Sequence, residues 1–332
     1  MSDLYPLQLV PEFVERVWGT HDVSALYQHS VGAKPIGEVW LTGEQCRVAN
    51  GPMKGRTLAE LCQQFGDALI GGGNKTPKRF PLLMKVLFPR EKLSVQVHPD
   101  DEAAQRVGEP CGKTECWYIL SAEPGAQIGL GLTPGTTRTQ VERSIHENRM
   151  EHLLNWIDVR RGDMYYVDAG TVHAIAPGAV ILETQQNSDT TYRLYDYGRP
   201  RELHIEKGLA AMKDTTHAGR VLHDGRTIVS SPSFEVRRES LREPQTFNTR
   251  SAVHCIFAAD GAARIECAGK QPVSIARGDL VVIPAALGEY CVVPQWSCET
   301  LTASLPGGEV EHPKTVLHEL ATVAHADCMK ID

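Results

Sequence analysis

Long apolar runs are missing from the 332-residue chain: stretches such as Leu280–Ile283 and Ala179–Leu182 last only a few residues, against the roughly 18 that a membrane-spanning helix requires. No membrane partner is expected. The N-terminal Met1-Ser2-Asp3-Leu4-Tyr5-Pro6 lacks a basic region followed by an apolar core, so no secretory signal is expected and the cytoplasm is the expected location. Positive charge is not in excess, with 34 Lys and Arg against 41 Asp and Glu and a net charge of -7. Such a surface repels phosphate backbones, which argues against a nucleic-acid partner. The nine cysteines are odd in number and form no Cys-x-x-Cys pair. Cys255, Cys267 and Cys291 sit in apolar or alternating stretches, and the set reads as reduced packing thiols. A thiolate cluster therefore lacks ligands, and any metal site must be built from His, carboxylate and amide groups. The run Gly71-Gly72-Gly73-Asn74-Lys75-Thr76 lacks the Gly-Lys pair and strand-to-helix context of a phosphate loop, and reads as a flexible surface loop.

What is present is a globular composition, 42% hydrophobic and 23% charged, on a chain long enough for two domains. Short apolar segments alternate with Gly, Pro and Asp: Leu82–Phe88, Leu93–His98, Glu115–Leu120, Met164–Asp168, Val180–Gln185 and Tyr192–Tyr197. Their length and spacing predict a β-sandwich or barrel. Helical patterns are fewer, at Thr57–Phe65 behind a capping box, Asp101–Val107, Thr139–Trp156 and Glu206–Met212. An internal repeat organises the rest. Residues Arg161–His173 align without gaps with Arg277–Glu289 at an offset of 116, and the register extends to Glu183 and Glu299. Each copy opens on Gly-Asp, continues as an apolar strand and turns on small residues, the pattern of a jelly-roll hairpin. The expected fold is thus dominated by β-structure: two related jelly-roll barrels with a few added helices. The expected domains are 1–224, with a helical insertion at about 139–156, and 225–332. Because His173 of the first copy becomes Glu289 in the second, chemistry is expected in the first barrel only.

The densest polar constellation is Leu93-Ser94-Val95-Gln96-Val97-His98-Pro99-Asp100. On a strand, Ser94, Gln96 and His98 share one face; Lys113, Glu115 and Trp117 do so in the next segment. His173 follows a tight turn, and Glu183 interrupts an otherwise apolar strand, where a carboxylate without a partner is costly. Taken singly, these residues fit hydrogen-bonded core or surface positions. Together, Gln96, His98, Glu115 and His173 offer two imidazoles, a carboxylate and an amide to one barrel interior, a donor set suited to an open zinc or non-haem iron site. Downstream, Arg193 and Arg199 offer forks for phosphate or a developing oxyanion, unless they merely pair with Asp189 or Asp196.

Four segments in order, Leu93–Pro99, Gly112–Glu115, Ala169–Ile175 and Gln185–Arg193, resemble type I mannose-6-phosphate isomerase, a cupin enzyme, in its short bacterial form. Glu15-Arg16-Val17-Trp18-Gly19 and Ile36-Gly37-Glu38-Val39-Trp40 are similar to the same family, with Val39 where Ser is commoner. The resemblance covers most of residues 8 to 213 and weakens in the second barrel, in keeping with a C-terminal cupin that binds no metal. It implies one zinc ion per chain, held by Gln96, His98, Glu115 and His173, with Arg193 as the catalytic arginine. It further implies Ser94 and Lys113 facing a sugar phosphate, and Glu183 in the active site. The reaction implied is interconversion of mannose 6-phosphate and fructose 6-phosphate through a cis-enediol. Lys113, Glu183 and a water on the metal are all candidates for the base. Two other readings stand beside it, a different metal-dependent cupin enzyme such as a dioxygenase and a non-catalytic sugar-phosphate-binding cupin.

Overall fold

A computed structural model describes residues 4–72, 79–222, 226–306 and 313–316. Most of the Gly71–Thr76 run and the expected boundary at 224/225 lie outside the described residues. The strands gather into sheets of nine, eight and five. The eight- and five-stranded sheets face each other as the first barrel. Their common core holds Leu87, Trp117, Ile119, Tyr165 and Ile181 from one and Ile128, Leu130 and Ile175 from the other. The opposite face of the eight-stranded sheet, with Met84, Val86, Tyr118, Leu120 and Leu182, packs on Cys255, Phe257, Val282, Leu301 and Ala303 of the nine-stranded sheet. That sheet closes over a separate core including Ile256, Ala258, Val281 and Ile283.

This stacking explains the sequence pattern. The Leu82–Leu87 strand, Leu-Leu-Met-Lys-Val-Leu, is buried throughout because one face meets the barrel interior and the other meets the second barrel. Strands covered on both faces read as continuous apolar runs rather than alternating ones. Among the described residues three pairings tie the halves together: Leu7–Val10 runs antiparallel to Leu280–Ile283 of the second barrel, Gly71 bridges to Ala252, and Thr315–Val316 returns to pair with Gly219–Val221. Among the described residues no helix is long and apolar enough to cross a membrane.

The Gly-Asp repeat marks the same turn twice. Gly162 and Gly278 have φ of 92° and 94°, a region open to glycine at little cost. Asp163 Oδ2 accepts from the Arg160 amide at 2.9 Å, as Asp279 Oδ2 accepts from the Ala276 amide at 2.9 Å. The 116-residue offset does not extend to Glu183 and Glu299. Met164–Val167 pairs with Tyr118–Glu115, as Leu280–Ile283 pairs with Phe257–His254. Glu183 then lies opposite Trp117, and Thr302 lies opposite Ile256. Glu183 thus corresponds to Thr302, because the second copy runs three residues longer from Ile283 to Thr302 than the first does from Val167 to Glu183. Glu299 instead accepts a 2.7 Å hydrogen bond from Tyr118 Oη.

The capping box at Thr57 starts a helix at Leu58–Phe65. Asp100 caps Asp101–Arg106, and a further helix forms at Ile205–Ala211. The amphipathic Thr139–Trp156 segment is helical only over Arg138–His146. Asn148 adopts a left-handed φ of 54°, which ends the helix at a residue type that tolerates it. A short turn at Met150–Leu153 follows, and Leu154–Asp158 joins the five-stranded sheet.

Candidate active site

Strand register brings the polar residues to one end of the first barrel. In the five-stranded sheet His173 and Arg193 both lie opposite Gln96. In the facing sheet Glu183 lies opposite Lys85 and Trp117, and Glu115 lies opposite Gln185. Side chains alternate along each strand, so Lys85, Glu115 and Glu183 point inward with Leu87, Trp117 and Ile181. His98 follows the Val95–Val97 strand directly.

His98, Glu115 and His173 are buried and present donor atoms within 4.8 Å of one another. Each imidazole is oriented by a main-chain carbonyl: His98 Nδ1 lies 3.0 Å from Thr190 O, and His173 Nδ1 lies 2.9 Å from Thr171 O. With Nδ1–H donating to these carbonyls, both Nε2 lone pairs are left to face Glu115, at 3.6 and 3.5 Å. Glu115 Oε1 is buried without a hydrogen-bond partner. Gln96 Nε2 stands 3.1 Å from His173 Nε2, and reversing its amide would present oxygen there instead. Two imidazole nitrogens converging on one carboxylate form a donor set that fits a divalent cation. Burial and the neighbouring Glu183 charge push the Glu115 carboxyl up to about 7. Burial and the Lys113 charge hold His98 well below the usual imidazole range, and burial holds His173 down at about 4. Both shifts favour the neutral imidazole, the form that can bind a metal.

Beside this group, charges of alternating sign follow one another. Lys113 Nζ contacts Glu115 and lies 3.0 Å from His98 Nε2 and 3.8 Å from Glu183. Glu183 pairs with Lys85 at 3.0 Å, and Lys85 lies 3.8 Å from Glu38. Glu38 is paired with Arg16 at 3.0 Å and accepts from Trp40 Nε1 at 2.7 Å. Burial alone would raise the Glu183 carboxyl, but Lys85 and Lys113 overcome it and hold the group down at about 2. It also accepts a 3.0 Å hydrogen bond from Trp117 Nε1.

A cavity of about 370 Å³ opens beside the metal donors, within the usual range for a small-molecule site. Its lining includes Ser94, Gln96, Lys113, Glu183 and Arg193, and the sequence had singled out all five. Ser94 Oγ donates to Gln96 Oε1 at 3.1 Å. Arg193 is anchored through Nη1 to Glu202 O at 2.7 Å, while its Nε is buried without a partner. Arg199 does pair with Asp196, at 2.8 Å, and is not part of the lining. The cavity also takes in Asp189, read from sequence only as a partner for an arginine, and Arg16, Glu38, Lys85 and Arg201, to which sequence reasoning gave no role. Lys85 carried a usable signal, a charge inside an apolar strand, the same anomaly that exposed Glu183. Five cations, Arg16, Lys85, Lys113, Arg193 and Arg201, line the cavity against three carboxylates.

Comparison with known proteins agrees with this geometry. A family model described as the catalytic domain of type I phosphomannose isomerase matches residues 7–128. Mannose-6-phosphate isomerase ManA of Bacillus subtilis is 36% identical over 86% of this chain and 95% of its own, and that of Streptococcus mutans is 34% identical over 86% and 94%. The crystal structure of the Bacillus subtilis mannose 6-phosphate isomerase superposes with a TM-score of 0.81 at 32% identity, covering 90% of this chain and 99% of the other. A zinc-bound mannose 6-phosphate isomerase shares the fold at a TM-score of 0.72 and 15% identity, over 91% and 99% of the two chains. With near-complete coverage at such identity, this chain belongs to the type I mannose-6-phosphate isomerase family.

Proposed function

We propose that the protein interconverts mannose 6-phosphate and fructose 6-phosphate as a zinc-dependent aldose-ketose isomerase. The observation that carries this reading is a cavity lined by five cations and three carboxylates in a chain of net charge -7, set against a buried His98, Glu115 and His173 donor group. A neutral or apolar substrate gains little from such a lining; a phosphate dianion gains much.

His98, Glu115 and His173, with the Gln96 amide, would hold the zinc, and when bound it would supply Lewis-acid polarisation of the sugar oxygens. Removing the C2 proton and returning it at C1 develops negative charge on the enediol oxygens. Arg193, anchored by Glu202 O and carrying an unpartnered buried Nε, is placed to stabilise that charge. Ser94, tied to Gln96, orients a sugar hydroxyl. Glu183 stays ionised between two lysines and is a poor proton acceptor; its work is to hold Lys85 and Lys113 at the cavity wall. Lys113 Nζ lies beside the His98 and Glu115 donors, at 3.0 Å from His98 Nε2. The first barrel carries this chemistry, with its domain boundary near residue 224, and the nine-stranded sheet supplies the buried face on which it packs.

The test is conversion of mannose 6-phosphate by protein stripped with chelator and then given zinc or iron(II) separately. Turnover is expected to vanish on stripping and return with zinc. Folded protein that stays inactive with either metal would refute the reading.

A further inference from the structure

The Glu12–Thr20 strand does not pair continuously with Ile36–Trp40. Both Glu15 and Thr20 lie opposite Ile36, so residues 16–19 leave the ladder between them. A bulge of this kind re-aims side chains, and here Arg16 and Trp18 line the cavity. The excursion is pinned on both sides. Arg16 N donates to Pro35 O at 3.0 Å, and Trp18 O accepts from the Arg90 and Glu91 amides at 2.9 and 3.1 Å. Two glycines make room for it. A Cβ at Gly19 would lie 2.4 Å from the Ile36 carbonyl carbon, and one at Gly37 would lie 2.5 Å from Arg16 Cβ. The Arg16 stem therefore lies against bare backbone.

The guanidinium is held as firmly as the stem. Nε and Nη2 donate to the two Glu38 oxygens at 3.2 and 3.0 Å, and Nη1 donates to Glu15 O at 3.2 Å. Glu38 itself is fixed by Trp40 Nε1. Arginine carries five N–H donors, so each Nη of Arg16 keeps one beyond these bonds. Of the other cavity cations, Arg193 is anchored through Nη1 to Glu202 O, and Arg201 is forked onto a carboxylate as Arg16 is, but from outside the bulge. Arg201 is locked onto both Asp196 oxygens at 2.6 Å, and Lys85 and Lys113 sit against Glu183 and Glu115. An isolated ion pair needs neither a bulge nor a cavity, whereas a pre-oriented fork opening into one is what binding of a phosphate monoester requires.

We propose that Arg16 is a substrate-contacting residue that binds the phosphate of the sugar phosphate through its outer Nη donors, with Glu38 as the positioning residue that aims it. This rests on the isomerase reading above. The test compares wild type with Arg16→Gln and Arg16→Lys in zinc-loaded enzyme, measuring kcat, KM, and inhibition by a hexitol 6-phosphate and by the hexitol without phosphate. For Arg16→Gln, KM and the inhibition constant of the hexitol phosphate should rise about tenfold or more, the loss expected for a charge-assisted hydrogen bond. The kcat should stay within about threefold and the hexitol constant should not move, since neither depends on a phosphate contact. Arg16→Lys should recover part of the loss. An unchanged KM, a fall confined to kcat, or an equal weakening of hexitol and hexitol phosphate would overturn the assignment. If Arg16→Gln does not fold, the Arg16→Lys series decides alone: lysine keeps the charge but not the fork, so wild-type constants would overturn it. Wild type that binds the hexitol phosphate but does not isomerise mannose 6-phosphate would refute the isomerase reading. The Arg16 binding comparison would remain decisive on its own.

Discussion

The two barrels share a hairpin and differ in what they place inside it. Strand register makes His254 the counterpart of Glu115, Arg237 the counterpart of Lys85 and Thr302 the counterpart of Glu183. In the first barrel the carboxylate of Glu115 faces one imidazole with each oxygen, His173 with Oε1 and His98 with Oε2, and among the described residues Oε1 has no hydrogen-bond partner. In the second, His254 Nδ1 is bonded to Tyr290 Oη at 2.8 Å and its Nε2 lies 3.3 Å from Arg237 Nη2. Glu289, aligned with His173, is exposed. One interior keeps a donor set that fits a cation, and the other bonds its imidazole internally. The difference teaches that a metal site in this fold depends less on polar residues in a barrel than on a carboxylate set opposite two imidazoles.

The largest expected effect comes from breaking the first interior. His98→Ala should remove zinc and turnover together, with kcat falling by about 10³-fold or more as several kcal/mol of charge stabilisation is lost. Metal analysis alongside kcat checks this, and a metal-free variant with full activity would show that His98 is not a ligand. A step smaller is Glu183→Thr, which gives the first barrel the residue of the second. Zinc should be retained while kcat drops about 10²-fold, because Lys85 and Lys113 lose the anion that holds them at the wall. Loss of zinc in that variant would place Glu183 in the metal set instead.

How much of this was legible beforehand follows the same physics. Gln96, His98, Glu115 and His173 could be found because period-two alternation puts them on inward faces, and because imidazoles and a carboxylate converging on one interior are unusual. Lys85 went unread although it carried the same anomaly as Glu183. Arg16 and Glu38 were visible as part of a motif but had no role, since the bulge that aims Arg16 depends on pairing with Ile36. Pairing of Leu7–Val10 with the second barrel is a contact between strands more than 270 residues apart, and no local pattern announces it. The Gly-Asp turns were read correctly as repeats, but the ungapped offset failed past them because the second copy carries extra residues before Thr302 that leave the strand pairing itself unchanged.

A third prediction uses the imidazole that the second barrel satisfies internally. Burial, reinforced by Arg237 and Arg250, holds the His254 pKa down at about 3, against about 6.5 in an unfolded chain. The folded state therefore binds fewer protons than the unfolded one. Its stability is undiminished above pH ~6.5 and falls progressively as pH drops toward 3. At pH 5 the cost is about 2 kcal/mol. His254→Gln keeps hydrogen-bonding capacity without titrating, so the stability lost between pH 8 and pH 5 in urea melts should shrink by about that amount. An identical pH slope would mean that His254 is already protonated in the fold.

The smallest effect compares the shared turn with itself. Gly162 and Gly278 have nearly the same left-handed φ, 92° and 94°, so replacing either by Ala costs about 1 kcal/mol of backbone strain. Their surroundings differ. A Cβ at Gly162 meets nothing closer than 3.9 Å, whereas one at Gly278 lies 3.2 Å from Leu26 O and 3.3 Å from Tyr27 Cε1. Tyr27 Oη also donates to Gly278 O at 3.1 Å, so this turn of the second barrel cannot shift away without straining that bond. Gly278→Ala should therefore lower the urea midpoint more than Gly162→Ala, with an unchanged slope, by the equivalent of about another 1 kcal/mol. Equal midpoints would mean that the turn gives way freely, and that the N-terminal segment around Leu26 and Tyr27 does not clamp the second barrel's hairpin.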